Sequence, residues 1–157
     1  MSIKFGLRKS VEEIEEGNEL QPKFDKNGLI PVVTIDHKTK DVLMHGYMNK
    51  ESLSLSIETG FAHYWSRSRG IIWKKGESSG LFQKIIDMAI DDDQDSIWLN
   101  VKVSGNGASC HVGYKSCFYR KVVFNKKNMS TKLEYIEKKK VFDPKKIYGD
   151  APNPTKV

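Results

Sequence analysis

Apolar residues occupy every second position of S-I-W-L-N-V-K-V-S, so Ile97, Leu99, Val101 and Val103 share one face, which predicts a strand. A second strand is predicted in I-P-V-V-T-I-D, a run rich in β-branched residues that follows the Asn27-Gly28 turn signal and carries Pro31 near its start. The polar turn D-H-K-T-K-D leads into V-L-M-H-G-Y-M, the returning strand of a hairpin, with Gly46 a candidate bulge. Helices are marked by their ends. Ser10 and Glu13 form a capping-box pattern that opens a short helix to about Glu16, stopped by Gly17. Asn49 caps the main helix, with Leu53 and Ile57 spaced i, i+4 and Gly60 closing it. Beyond it, A-H-Y-W-S-R-S-R-G-I-I-W-K-K-G reads as two strands around the S-R-S-R-G turn. The run L-F-Q-K-I-I-D-M-A-I-D suits a buried strand or a helix by pattern alone, and its isoleucines favour strand. C-F-Y-R-K-V-V-F and T-K-L-E-Y-I-E are further strands, and the tail with Pro144, Pro152 and Pro154 is expected to be irregular. The fold expected is mainly β with α+β character: antiparallel strands forming a partial barrel capped by one main helix.

Composition narrows the class. A chain of 157 residues is read as one domain, 1–157. Hydrophobic residues make up 38% and charged residues 29%, and no run approaches the ~18 apolar residues of a membrane span. The start, M-S-I-K-F-G-L-R-K-S-V-E-E, has no apolar leader core, so a cytoplasmic protein is expected. In that compartment its two cysteines stay reduced, which favours a metal site or a reactive thiol over a disulfide. A net charge of +6 points to an anionic partner without saying which. Lys126, Lys127 and Lys138 to Lys140 read as a solvated face; Arg67, Arg69, Lys74 and Lys75 differ, because Ser and Gly are interspersed among them.

The candidate chemistry lies between Asp91 and Cys117. In D-D-D-Q-D an extended backbone would turn Asp91, Asp93 and Asp95 to one side, where three carboxylates repel unless a cation such as Mg2+ lies between them. A solvated acidic turn explains the cluster as well. Cys110, His111 and Cys117 in C-H-V-G-Y-K-S-C suit Zn2+, with a pair of buried structural cysteines as the plainer alternative. The two cysteines are an odd number of residues apart, so one strand face cannot hold both, and a loop around Gly113 must bring them together. Such a loop supplies two or three ligands, so the site is open, shared with another segment, or not zinc. A divalent cation beside Arg67, Arg69, Lys74, Lys75, Ser78 and Ser79 would suit a phosphorylated substrate. Trp65 and Trp73 read as core, whereas His63 shares its alternation with Trp65 and Arg67.

Taken in order, G-L-I-P-V-V, V-L-M-H-G-Y-M-N, H-Y-W-S-R-S-R-G, W-K-K-G-E-S-S-G, D-x-D-x-D and C-H-V-G-Y-K-S-C-F-Y-R resemble the phosphoribosyl-AMP cyclohydrolase family over about 27–149. The resemblance implies opening of the adenine ring of phosphoribosyl-AMP between N1 and C6 in histidine biosynthesis, by zinc-activated water with Mg2+ assistance. It implies a homodimer, zinc on Cys110 and Cys117, and Mg2+ on Asp91, Asp93 and Asp95. His111 or His63 would move protons. Arg67, Arg69, Trp65, Lys74, Lys75, Ser78 and Ser79 would hold the bisphosphorylated nucleotide, with neither nucleic acid nor membrane as a partner. One departure stands out: the family pattern D-C-D-x-D carries a third thiolate where this chain has Asp92. Asp92 would replace it, or His111 would ligate directly, or another ion is used. Two other classes compete. A zinc deaminase would need H-x-E and P-C-x-x-C, which are absent, and a basic RNA-binding module would need no metal.

Overall fold

The computed structural model describes residues 3–157; Met1 and Ser2, which begin the segment read above as lacking a leader, lie outside it. The chain runs α1 (Val11–Glu16), β1 (Leu29–Asp36), β2 (Val42–Asn49), α2 (Lys50–Thr59), β3 (His63–Ser66), β4 (Ile71–Lys74), β5 (Gln83–Ile90), β6 (Ile97–Val103), β7 (Arg120–Asn125), β8 (Ser130–Tyr135) and α3 (Pro144–Tyr148). Both main-helix caps form as their residue types require. Asn49 accepts from Ser52 N while the Ser52 hydroxyl answers to the Asn49 N–H, and Gly60 ends α2 at a left-handed φ of 71°. Leu53 is fully buried, but Ile57 is largely exposed, so only one of the pair anchors the helix.

The principal sheet has the order β2-β1-β6-β5, with β1 antiparallel to β2, β5 antiparallel to β6, and β1 parallel to β6. The β1–β6 pairing is the one parallel pairing among the described strands of a sheet expected to be mainly antiparallel. β1 buries Leu29, Ile30, Val32, Thr34 and Ile35, residues on both of its faces, as a central strand does. No barrel closes: β3–β4 and β7–β8 pair only within their own hairpins, and the β3 side meets the outer edge of β5 through the isolated Phe61–Lys84 bridge and the Tyr64–Gln83 hydrogen bond. The core is formed by Ile30, Val32, Leu43, Met48, Leu53, Tyr64, Ile97, Leu99 and Val101. Among the described residues no helix is long and apolar enough to cross a membrane.

Two smaller expectations also change. Gly46 is not a bulge; the register shifts fall at Thr34/Ile35 and Ile85/Asp87, and Gly46 pairs regularly with Val32. Its missing side chain makes room for the Tyr64 ring, since a Cβ there would lie 2.9 Å from Tyr64 Cδ1. The tail is not wholly irregular: Asp143 caps α3 by accepting from Lys145 N, and Pro144 fits the first turn, where its missing N–H costs nothing.

Candidate functional site

The loop from Cys110 to Cys117 folds tightly because its backbone is fastened at both ends. Cys110 N donates to Tyr114 O at 3.2 Å and Gly113 N to Cys110 O at 3.1 Å. Gly113 has φ +103°, and a Cβ there would meet Phe142 O at 2.5 Å, so only glycine fits. Cys117 N donates to Leu43 O at 2.7 Å, which ties the loop to β2. Glu137, on the far side, accepts from Lys115 N and Ser116 N, each at 2.8 Å.

The loop sets the Cys110 and Cys117 thiols side by side, close enough for each to act on the other's protonation. The hydrogen bond from Cys117 is the largest influence on Cys110; it outweighs burial, and with the Val112 and Tyr114 N–H groups and the Lys75 charge it brings the Cys110 thiol down to about 6. The Cys117 thiol is pushed up in turn, because it donates that hydrogen bond and the first proton leaves Cys110. Lys75 lies beside them. Strand alternation gives it the side of Trp73, over whose ring its ammonium sits at 5.3 Å, and it is 9% exposed with no carboxylate partner among the described residues. Burial pulls the Lys75 ammonium pKa down, while the charges of Cys117 and Cys110 work the other way. His111 is held below its ordinary pKa by burial, against a hydrogen bond its ring donates to Asn153 and with the charge of Lys75. Its Nε2 is buried without a hydrogen-bond partner among the described residues.

A buried chain of polar groups supports this cluster. Thr34 Oγ1 lies 2.7 Å from Tyr64 Oη, which donates to Gln83 Oε1 at 2.7 Å, and Gln83 Nε2 donates to Ser109 Oγ at 3.1 Å, one residue before Cys110. Burial raises the Tyr64 phenol far above its usual range, so it remains a neutral donor.

Of the two backbones the acidic cluster left open, extended or turn, it takes the turn, and its carboxylates converge. One oxygen each from Asp91, Asp93 and Asp95 lie within 4.8 Å of one another. Asp91 Oδ1 accepts from Asp95 N and Ser96 N at 2.9 Å each. Partial desolvation, the hydrogen bond to Asp91 and the charges of Asp93 and Asp91 raise the Asp95 carboxyl, with Lys23 opposing. Carboxylates that disfavour one another's ionisation are a donor set a hard divalent cation would relieve.

The two clusters lie at opposite ends of β5. Gln83, which reaches Ser109, opens this eight-residue strand, and Ile90, next to Asp91, closes it. At ~3.3 Å per residue the separation is roughly 20 Å, whereas two ligands of one zinc ion lie within about 4.5 Å of each other. Asp92 and Cys110 of one chain therefore cannot share an ion.

The remaining candidates divide between surfaces. Arg67 and Arg69 are exposed on the β3–β4 turn, Arg67 stacked over Tyr47 at 4.1 Å and Arg69 Nε donating to Ser66 Oγ at 3.2 Å. Lys74 lies over Phe61 and Phe82 at 4.4 and 5.0 Å, away from Lys75. Ser78 is exposed, and Ser79 Oγ accepts from Leu81 N at 3.2 Å. His63 and Trp65 are half-buried and alternate with the fully buried Tyr64, and His63 Nδ1 lies 2.8 Å from Phe61 O. The structure thus brings Cys110, Cys117, Lys75 and His111 together and puts His63 on the other face of β3 from Tyr64. The supporting Tyr64, Gln83, Ser109 and Glu137 were not singled out from sequence; an uncharged polar residue such as Tyr64, Gln83 or Ser109 carries little signal, Glu137 is one charge among many near the C-terminus, and Gln83 at the head of an apolar run was the available hint.

A family model described as phosphoribosyl-AMP cyclohydrolase matches residues 44–119, which hold both clusters. A protein of that name from Brucella anthropi is 50% identical over 121 residues, 77% of this chain and 86% of its own length. One from Rhodopseudomonas palustris is 47% identical over 137 residues, 87% and 92% of the two chains. One from Nitrobacter winogradskyi is 46% identical over 140 residues, 89% and 94%.

Proposed function

Because the chain belongs to the phosphoribosyl-AMP cyclohydrolase family, hydrolases of histidine biosynthesis, we propose that it opens the adenine ring of phosphoribosyl-AMP between N1 and C6. The observation that carries this reading is the tight loop around Gly113 that sets the Cys110 and Cys117 thiols side by side, with Lys75 and His111 beside them. A cysteine brought down to about 6 next to a second thiol and a buried lysine is a soft, anionic donor set, and it fits Zn2+. Zinc held there by Cys110 and Cys117 would supply activation of water at neutral pH. Since Asp92 cannot reach this pair in its own chain, the reading calls for a homodimer in which Asp92 of a second copy would supply the third ligand.

The chain's own residues supply the rest. His111 Nε2, neutral and without a hydrogen-bond partner among the described residues, takes a proton from the water and returns one to the leaving ring nitrogen. His63 is the poorer candidate because of its placement, on the other face of β3 from Tyr64 and the polar chain that supports the thiol cluster. Lys75 balances the negative charge of the thiolates, a different role from the phosphate contact its sequence neighbours imply. Arg67 and Arg69, with the turn carrying Ser78 and Ser79, are exposed donors suited to the two phosphates, with Lys74 and Trp65 alongside. Asp91, Asp93 and Asp95 would hold Mg2+, which would supply positive charge for an anionic group of the substrate. The reading makes this a cytoplasmic, metal-dependent enzyme that needs neither nucleic acid nor membrane. The test is ring opening followed by absorbance, with and without chelator. Turnover that stops on chelation and returns with zinc supports the reading; turnover indifferent to chelator refutes the metal chemistry.

A further inference from the structure

The acidic turn is gripped from outside as well as closed from within. Gln94 is 4% exposed and holds a left-handed φ of 59°, uncommon for a residue with a side chain. Its Oε1 accepts from Gln21 N at 2.7 Å, and its Nε2 donates to Ile14 O at 3.0 Å and Glu19 O at 3.3 Å. Its carbonyl accepts from Lys23 N at 2.7 Å. Arg8 adds a second fastening, donating to Gln21 O at 2.7 Å and Asp93 O at 2.9 Å. The segment 8–23 is thereby strapped onto the turn. From its end, Lys23 extends an ammonium to Asp93 Oδ2 at 3.4 Å and Asp95 Oδ2 at 3.8 Å.

We propose that Gln94 is a positioning residue that pins this strap to the acidic turn and so fixes the Asp91, Asp93 and Asp95 cradle, while Lys23 is a resident counter-ion that the divalent cation displaces. This rests on the Mg2+ reading above. The local bonds of Asp91 close the turn by themselves, so the side chain of Gln94 is not needed to join β5 to β6; what it adds is a fixed position for the backbone between Asp93 and Asp95. Lys23 offsets carboxylate repulsion while the metal is absent. Its side chain is half exposed, so it can swing into water when a doubly charged ion arrives.

The two residues therefore act on metal binding with opposite sign. Mg2+ alone is titrated calorimetrically into metal-free wild type, Gln94→Gly, Lys23→Met and Asp93→Asn. Glycine accepts the left-handed backbone, so Gln94→Gly removes only the side-chain bonds. Gln94→Gly should bind Mg2+ about tenfold more weakly, and Lys23→Met about threefold to tenfold more tightly, the repulsion between charges about 5 Å apart in salt-screened water. A merely structural role would weaken both. A folded Gln94→Gly that binds as wild type does, or a Lys23→Met that binds no more tightly than wild type, overturns the proposal; should Gln94→Gly fail to fold, Lys23→Met decides alone. Wild type that binds no better than Asp93→Asn refutes the Mg2+ reading itself, an outcome distinct from wild-type binding that the variants leave unmoved.

Discussion

Replacing Tyr64 by phenylalanine removes one oxygen from the centre of the molecule and almost no volume. That oxygen accepts from Thr34 Oγ1 and donates to Gln83 Oε1, both at 2.7 Å. Each lost hydrogen bond is worth about 1 kcal/mol, and the buried Gln83 carbonyl left without a partner adds roughly 1–2 kcal/mol, giving about 3–4 kcal/mol in total. For a chain of this size that corresponds to roughly 6–16 °C in Tm. Urea unfolding followed by far-ultraviolet circular dichroism reads it directly: the midpoint should fall while the slope stays unchanged. Because Gln83 also holds Ser109 at 3.1 Å, the variant should retain zinc less tightly in a competition with a chromophoric chelator. A stability loss under about 0.5 kcal/mol would mean that the polar chain does not support the cysteine loop energetically, and the reasoning would fail.

Other expectations follow from single residues. Gly46→Ala puts a Cβ 2.9 Å from Cδ1 of a ring pinned by two hydrogen bonds, and should cost about 1–3 kcal/mol in the same assay. Asp36, whose Oδ1 accepts from Lys38 N and Thr39 N at 2.9 Å each, is held below its ordinary pKa; burial works upward, and the Thr39 and Lys38 amides with Lys115 and His37 outweigh it. A depressed carboxylate contributes stability that is complete above the unfolded value near 3.8 and is lost as pH falls through the lower folded value. Asp36→Asn should therefore be less stable than wild type at neutral pH, with the gap closing below about pH 4, as paired unfolding curves would record. Mixing inactive Asp92→Ala and Cys110→Ala proteins after partial unfolding should restore about a quarter of wild-type activity, since half the dimers would carry one intact site; no recovery would argue against a site shared between copies.

What could be read in the sequence was what depends on near neighbours. The caps at Asn49 and Gly60, the β1–β2 turn and the alternation of Ile97, Leu99 and Val101 are set by local chemistry, and all took the expected form. The parallel pairing of β1 with β6 joins strands that are distant in the chain, and no local pattern specifies it. The continuous burial of β1 is its trace, visible only once the sheet is assembled. The aspartates left two backbones open, an alternating strand and a turn; the chain takes the turn, with Gln94 left-handed, and the three carboxylates converge there. Lys74 and Lys75 read as one basic pair, yet adjacent strand residues point to opposite faces, so one stacks on Phe61 and Phe82 and the other is buried beside the thiols. The same alternation separates His63 and Trp65 from Tyr64.

The central claim, ring opening at a metal site built on Cys110 and Cys117, is tested most directly by one measurement. Wild type and Cys110→Ala are supplied with phosphoribosyl-AMP, ring opening is followed by absorbance, and the zinc content of each protein is determined on the same samples. Wild type should open the ring and carry zinc, and the variant should lose both. A variant that opens the ring as fast as wild type would contradict the account.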